Sequence, residues 1–266
     1  MARGAVAVWQ MAPAIRQPQV NLARLETAAQ EARAHGATIL VTPELALTGY
    51  DIGVLDPAST DPALVGEVAD IARRQGIALV AGLTIRESAQ AGPWNVSVIV
   101  DRLGQVRALY RKVHLFGDID RSRFLAGAAC SPAADLDGIV VATLICYDIE
   151  FPEPARIAAL AGAHLLAVPT ANMVPWTFIN EHIIPVRAFE NQLYVAYANH
   201  VGSEGDTAYL GRSVIAAPDG TTARAGAESE EIVVMPIDTD ELDQRRRVAT
   251  YLADRRPDLY QALAKE

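Results

Sequence analysis

The 266-residue chain carries a formal net charge of −9, is 51% hydrophobic and 21% charged, which gives it enough apolar material for a sizeable core. Its basic residues are scattered apart from the short run Arg245-Arg246-Arg247, which excludes a nucleic-acid stripe. Two distant cysteines, Cys130 and Cys146, do not make a secreted disulfide framework, and the first ten residues hold too short an apolar run for a signal peptide; no run reaches the ~18–20 apolar residues of a membrane span, so a soluble cytoplasmic protein is expected.

In chain order, Ala5–Trp9 reads as a first strand. Val20, Leu22, Leu25, Ala28, Ala29 and Ala32 recur at helical spacing, predicting a helix from Gln19 to His35 that Gly36 stops. Ala37–Thr42 is a second buried strand ending at Pro43-Glu44, followed by an irregular stretch from Leu45 to Thr60. Asp61-Pro62 opens a second helix that Gly76 closes. Ile77–Ile85 is a third strand, and Trp94–Asp101 with Gln105–His114 forms a hairpin about the turn Asp101–Gly104. A polar loop spans Gly117–Gly127. Val140–Ile145 is a buried, β-branched run that meets Cys146-Tyr147-Asp148, and Phe151-Pro152-Glu153-Pro154 then starts a helix reaching Ala161. Leu165–Pro169 is a strand, Thr177–Gln192 a helix and Leu193–Ala198 a strand. Tyr209–Ala217 and Glu231–Ile237, with the turn Pro218-Asp219-Gly220 between them, are the last strands, and the polar tail 238–266 holds one helical piece. Strands alternating with helices, with hairpins mixed in, imply an α/β fold with mixed sheets. No linker or short-period repeat interrupts residues 1–266, so one domain is expected.

Three reactive groups fall at comparable places: Glu44 past the second strand, Lys112 near the end of the hairpin strand, and Cys146 where a strand turns toward a helix. Ligands of open α/β sheets bind beyond the carboxyl ends of strands, so the three can share a cleft. From its own stretch, Cys146 reads either as a small core residue or as a rigidly held nucleophile near the positive end of a helix. A carboxylate beside it can act as base and then acid, and an ammonium favours the thiolate or neutralises an oxyanion. The histidines at 35, 114, 164, 182 and 200 have no metal-ligand spacing, and there is neither a Gly-x-Ser-x-Gly elbow nor a phosphate loop.

Thr42-Pro43-Glu44-Leu45, Tyr110–Phe116 and Leu144–Asp148 with Phe151-Pro152-Glu153 resemble the three catalytic motifs of the nitrilase superfamily, the carbon–nitrogen hydrolases, in order and at matching separations. Val168–Asn172, Arg187–Asn191 and Asp254–Tyr260 extend the resemblance over almost the whole chain. The resemblance implies a four-layer α-β-β-α sandwich, a homodimer or higher homo-oligomer with the tail 238–266 at a subunit interface, and no metal or organic cofactor. It implies Cys146 as nucleophile, Glu44 as base and then acid, and Lys112 with the Tyr147 backbone N–H at the oxyanion. Many members carry a second glutamate past the lysine, and Asp120 stands there, either orienting Lys112 or lying as a solvated loop residue beside Arg121.

The pattern Cys-Tyr-Asp-x-x-Phe-Pro-Glu is similar to that of the small-molecule amidases, so cleavage of small amides to an acid and ammonia through a thioester is expected. A nitrile or an N-carbamoyl compound is the alternative substrate on the same triad. Two readings of other classes are a degenerate, hydrolase-like interaction protein and a thiol redox protein using Cys130 and Cys146; the intact triad and the lack of Cys-x-x-Cys spacing argue against them. Asn172, Met173 and Trp176 follow a strand end, as the triad residues do, and are expected to line the substrate pocket.

Overall fold

The computed structural model describes residues 2–88, 90 and 92–264. The first half builds β1 (Arg3–Gln10), α1 (Pro18–Ala34), β2 (Ile39–Val41), α2 (Ala63–Gln75), β3 (Ala78–Ile85), β4 (Trp94–Val100), β5 (Val106–Arg111) and the short α3 (Gly117–Arg121). There follow β6 (Ala133–Leu136), β7 (Ile139–Thr143), α4 (Pro152–Leu160), β8 (Leu165–Pro169), α5 (Ile184–Asn191) and β9 (Tyr194–Ala198). The last elements are β10 (Ser203–Glu204), β11 (Thr207–Ala208), β12 (Val214–Ala216), β13 (Thr222–Arg224), β14 (Glu231–Asp238) and α6 (Thr239–Val248). A final 3-10 segment covers Pro257–Ala264.

Two six-stranded mixed sheets result, ordered β14-β1-β2-β3-β4-β5 and β13-β12-β9-β8-β7-β6. Each has a parallel centre, β1-β2-β3 and β7-β8-β9, flanked by antiparallel strands. The strands read as unbroken apolar runs because both faces are covered. In β1, Ala7 and Trp9 face α1 and α2, packing with Leu22, Leu25, Val68 and Ile71. Val6 and Val8 face the other way, into an apolar layer with Val41, Val141, Leu165 and Ile215 from both sheets. Beyond the second sheet, Leu166, Val168 and Val195 pack on Ala155, Ala158 and Ala188 of α4 and α5. The order of layers is therefore helices, sheet, sheet, helices.

Several boundaries differ from the sequence reading for local reasons. Tyr209–Ala217 shrinks to β12 because Gly211 and Arg212, at φ 59 and 51, break the extended backbone. β12 pairs with β13, while β14 leaves for the other sheet and lies antiparallel to β1, with Val8 opposite Val233. The helix expected over Thr177–Gln192 opens with a wide turn at Ile179–Ile183 and becomes regular only at α5. Pro185 has no N–H to close an ordinary turn there. The tail has two helical pieces, α6 and the 3-10 segment, where the sequence reading has one.

β5 runs parallel to β2 and β3 through two antiparallel steps, so the ends of β2 and β5 leave the first sheet at one edge. The Glu44 N–H reaches across to the Thr170 carbonyl at 3.2 Å, joining that edge to the end of β8.

Candidate active site

Glu44 is completely buried one turn beyond β2. The chain passes there hard against β3: a Cβ on Gly82 would lie 2.4 Å from the Pro43 carbonyl oxygen and 2.8 Å from the Glu44 Cα. His200 donates from Nε2 to the Glu44 carbonyl oxygen at 2.5 Å. The carboxylate is unequally used. Oε1 accepts from Lys112 Nζ at 2.6 Å and from Asn95 Nδ2 at 2.7 Å. Oε2 is buried and has no hydrogen-bond partner among the described residues.

Lys112 follows β5 and is also fully buried. Its backbone is pinned on both sides, N–H to the Asn95 carbonyl at 2.9 Å and carbonyl to the Gly127 N–H at 2.7 Å. Its Nζ bridges Glu44 and Asp120, 2.6 Å from each. Asp120, on α3, is fully buried rather than solvated; it also accepts from the Tyr50 hydroxyl at 2.9 Å and the Phe116 N–H at 2.9 Å.

Cys146 opens a 3-10 turn, Cys146–Glu150, with a left-handed φ of 46°. Few residues other than glycine take that region, and such strain gathers at functional positions. The helix whose dipole the sequence reading invoked, α4, starts only at Pro152, beyond that turn. Asp148 holds the turn in place. It is completely buried and accepts from the Ile145 N–H at 3.1 Å, the Tyr110 hydroxyl at 3.0 Å and the His114 N–H at 2.8 Å, with His114 Nδ1 at 2.7 Å. His114 stacks on Phe151 at 4.2 Å, and Phe116 meets Tyr147 edge-on at 5.3 Å. The lysine segment and the cysteine turn are thus clamped together. On α5, Arg187 donates to the Ile149 and Glu150 carbonyls at 3.0 and 2.7 Å, closing the far end of the turn.

Burial pushes the Glu44 carboxyl up, against the pull of Lys112, with Asp120 adding to the rise. Burial opposes the Lys112 charge, but the carboxylates of Glu44 and Asp120 more than offset it and keep the ammonium. Burial also raises the Cys146 thiol, and Glu44 adds to that; Lys112, Thr170 and the Ala171 backbone pull the other way without prevailing. The sequence reading has the ammonium favouring the thiolate, and here burial outweighs it. The resting thiol keeps its proton, so a nucleophilic role for it would need a base to take that proton.

Cys146 opens onto a cavity of about 200 Å³. Asn172, Met173 and Trp176 line it, together with Tyr50, Phe116, Tyr147, Glu150 and Ala171. Asn172 is held by Asn180 Oδ1 at 2.5 Å, and Trp176, 51% exposed, forms the rim. A larger groove of about 730 Å³, bordered by Val54, Arg86 and Leu125, holds none of the three reactive side chains. Among the described residues no three His, Cys, Asp or Glu side chains group as metal ligands. Cys130 is exposed and free, and Cys146 is buried and free.

The structure therefore brings Glu44, Lys112, Asp120, Cys146 and Tyr147 to one place. The sequence reading gave no role to Asn95, Tyr50, Asp148 or Glu150. Asp148 lay inside a quoted motif, two residues after the cysteine, whereas Glu150 fell at an open position of that motif and carried no signal; Asn95 and Tyr50 reach the site only through the tertiary fold.

Residues 5–247 match the family model described as carbon–nitrogen hydrolase. A protein of Pseudomonas protegens described as a hydrolase in the pqqF 5' region is 44% identical over 98% of this chain and 92% of its own length. The 2-oxoglutaramate amidase of Bacillus subtilis is 33% identical over 92% of this chain and 94% of its own length. Among solved structures, the amidase of Nesterenkonia sp. AN1 superposes with a TM-score of 0.86 at 34% identity, covering 98% of this chain and 99% of that one. A cysteine-to-alanine variant of that amidase was solved in complex with butyramide, with a TM-score of 0.85 at 33% identity over 97% of this chain and 96% of that one. This chain belongs to the carbon–nitrogen hydrolase family of the nitrilase superfamily and is a hydrolase of carbon–nitrogen bonds other than peptide bonds.

Proposed function

We propose that the chain is an amidase that converts a small primary amide to a carboxylic acid and ammonia through a Cys146 thioester. The observation that carries this reading is the divided Glu44 carboxylate: one oxygen is fixed by Lys112 and Asn95, the other is buried and unpartnered, and Glu44 is close enough for its charge to raise the Cys146 thiol. The free oxygen is the proton acceptor. As the Cys146 sulfur bonds to the amide carbonyl carbon, its proton passes to Glu44. The carbonyl oxygen takes up negative charge and is met by the Tyr147 N–H and by Lys112, whose three N–H donors include one not used by Glu44 or Asp120. Glu44 returns the proton to the departing ammonia. It next takes a proton from water, whose oxygen attacks the thioester carbon; the C–S bond breaks and the thiol recovers its proton from Glu44. In this reading Asp120 orients Lys112.

The experiment is ammonia release from small amides, nitriles and N-carbamoyl acids, beside Cys146→Ala. Release from amides that vanishes in the variant is the expected result. Release from nitriles alone would move the chain to another branch of the family, and release from none would favour an interaction protein with a spent site.

The same reading places the protein in the cytoplasm, whose reducing conditions suit two free cysteines; among the described residues no helix is long and apolar enough to cross a membrane. It also makes residues 1–266 one domain and the protein a homodimer. Support comes from an apolar outer face on α4 and α5, where Leu160, Val186 and Phe189 are 51%, 49% and 42% exposed, with Tyr251 of the tail 5.7 Å from Phe189. Sedimentation of Leu160→Glu as a monomer, against a dimeric parent, is the expected outcome.

A further inference from the structure

Glu150 closes the cysteine turn and lines the cavity, yet its carboxylate has no hydrogen bond or ion pair among the described residues. Among the described residues no lysine, arginine or histidine lines that cavity. The two nearest cations are already committed. Lys112 is bound to Glu44 and Asp120, and Arg187 is spent on the Ile149 and Glu150 carbonyls and on Glu190, whose Oε1 lies 2.9 Å from Nη1. Among the described residues no cation lining the cavity can pair with a carboxylate on the acyl chain, the one remaining Lys112 N–H serving the carbonyl oxygen in the proposed reaction, while Glu150 can pair with an ammonium or accept from a neutral donor.

We propose that Glu150 is a specificity-determining residue that gives the acyl pocket a negative wall, so that the enzyme takes amides with neutral or cationic acyl chains and rejects those whose acyl chain carries a carboxylate. This deepens the amidase reading and rests on it. A substrate anion would meet an uncompensated like charge in a partly desolvated cavity, and one of the two would have to take up a proton. A substrate ammonium would instead supply the partner Glu150 lacks.

Burial pushes the Glu150 carboxyl up to about 7, against the pull of Lys112 and Arg187. The charged and titratable groups around it are Lys112 beyond β5, Arg187 on α5, Tyr197 on β9, Tyr50 across the cavity, and Cys146 and Tyr147 of its own turn. With its carboxyl pushed up to about 7, Glu150 gains its charge through this range, so rejection of anions should sharpen between pH 6 and pH 8.

The test uses two matched pairs: β-alaninamide against butyramide, and succinamate against succinamide. Wild-type enzyme should favour succinamide over succinamate by roughly tenfold or more in kcat/KM, and should not disfavour β-alaninamide. The ratio within each pair should contract in Glu150→Gln, and in Glu150→Lys the succinamate pair should reverse. Equal use of succinamate and succinamide, or ratios untouched by Glu150→Gln, would overturn the proposal while leaving the amidase intact. Binding of the same four compounds to Cys146→Ala, measured by calorimetry, separates the two readings. A charge-ranked affinity without turnover by wild type would sink the amidase and keep the negative wall; unranked affinity would sink the wall.

Discussion

Two glutamates stand near Cys146, one felt by its thiol and the other in its own turn, and their surroundings are opposite. Glu44 is held by Lys112, Asn95, His200 and the close pass beneath Gly82. Glu150 is half-buried and its carboxylate has no partner among the described residues. The lesson is a division of labour. Where a proton must be moved, the fold supplies a complete hydrogen-bond frame and leaves one oxygen open. Where an incoming molecule must be judged, the fold leaves a charge unanswered.

Removing the proposed proton acceptor tests the framed side most strongly. Glu44→Gln keeps the shape but not the basicity, and kcat for a small amide should fall roughly 10²–10⁴-fold with the thermal midpoint little changed; near-normal turnover would break the comparison. Lys112→Ala should follow. It leaves Glu44 and Asp120 buried without their cation, so urea denaturation should report a loss of about 3–5 kcal/mol beside the loss of rate. Asp148→Ala leaves the Tyr110 hydroxyl and the His114 N–H without their acceptor and frees the cysteine turn from the lysine segment. It should cost about 2–4 kcal/mol of stability and lower kcat without touching the chemistry directly.

The unframed side predicts the opposite sign. The Glu150 carboxyl binds its proton more tightly folded, at about 7, than its ordinary 4.5. Its burial therefore costs nothing below pH 4.5, a growing amount between 4.5 and 7, and the full amount above 7. Allowing for its partial exposure, that amount is about 1–3 kcal/mol. Glu150→Gln should accordingly match the parent near pH 4 and melt higher than it at pH 8. A variant that melts lower at pH 8 would mean that Glu150 has a stabilising partner after all.

The strands and the places of the three central residues were legible because those signals are local, while the four-layer order and the grouping of the three came from the resemblance of their motifs. The strands are continuous apolar runs, glycines close the helices, and Glu44, Lys112 and Cys146 each stand directly beyond a strand. The destination of β14 was not legible, since pairing with β1 spans nearly the whole chain. β6 and β13 are too short, at 4 and 3 residues, to show a period. The same limit hid Asn95. It alternates correctly within β4, and only the packing of β2 beside β3 brings Glu44 to its amide. Asp120 stood between two readings because sequence does not reveal burial, and burial is what ties it to Lys112.

Cys146 sits at a φ of 46°, a conformation that asks more of a cysteine than of a glycine. Replacing it by glycine rather than alanine should therefore recover about 1 kcal/mol, since both delete the sulfur and only alanine keeps the clash. The position of the proposed nucleophile is thus one where the backbone, left to its own preference, would select a residue with no side chain.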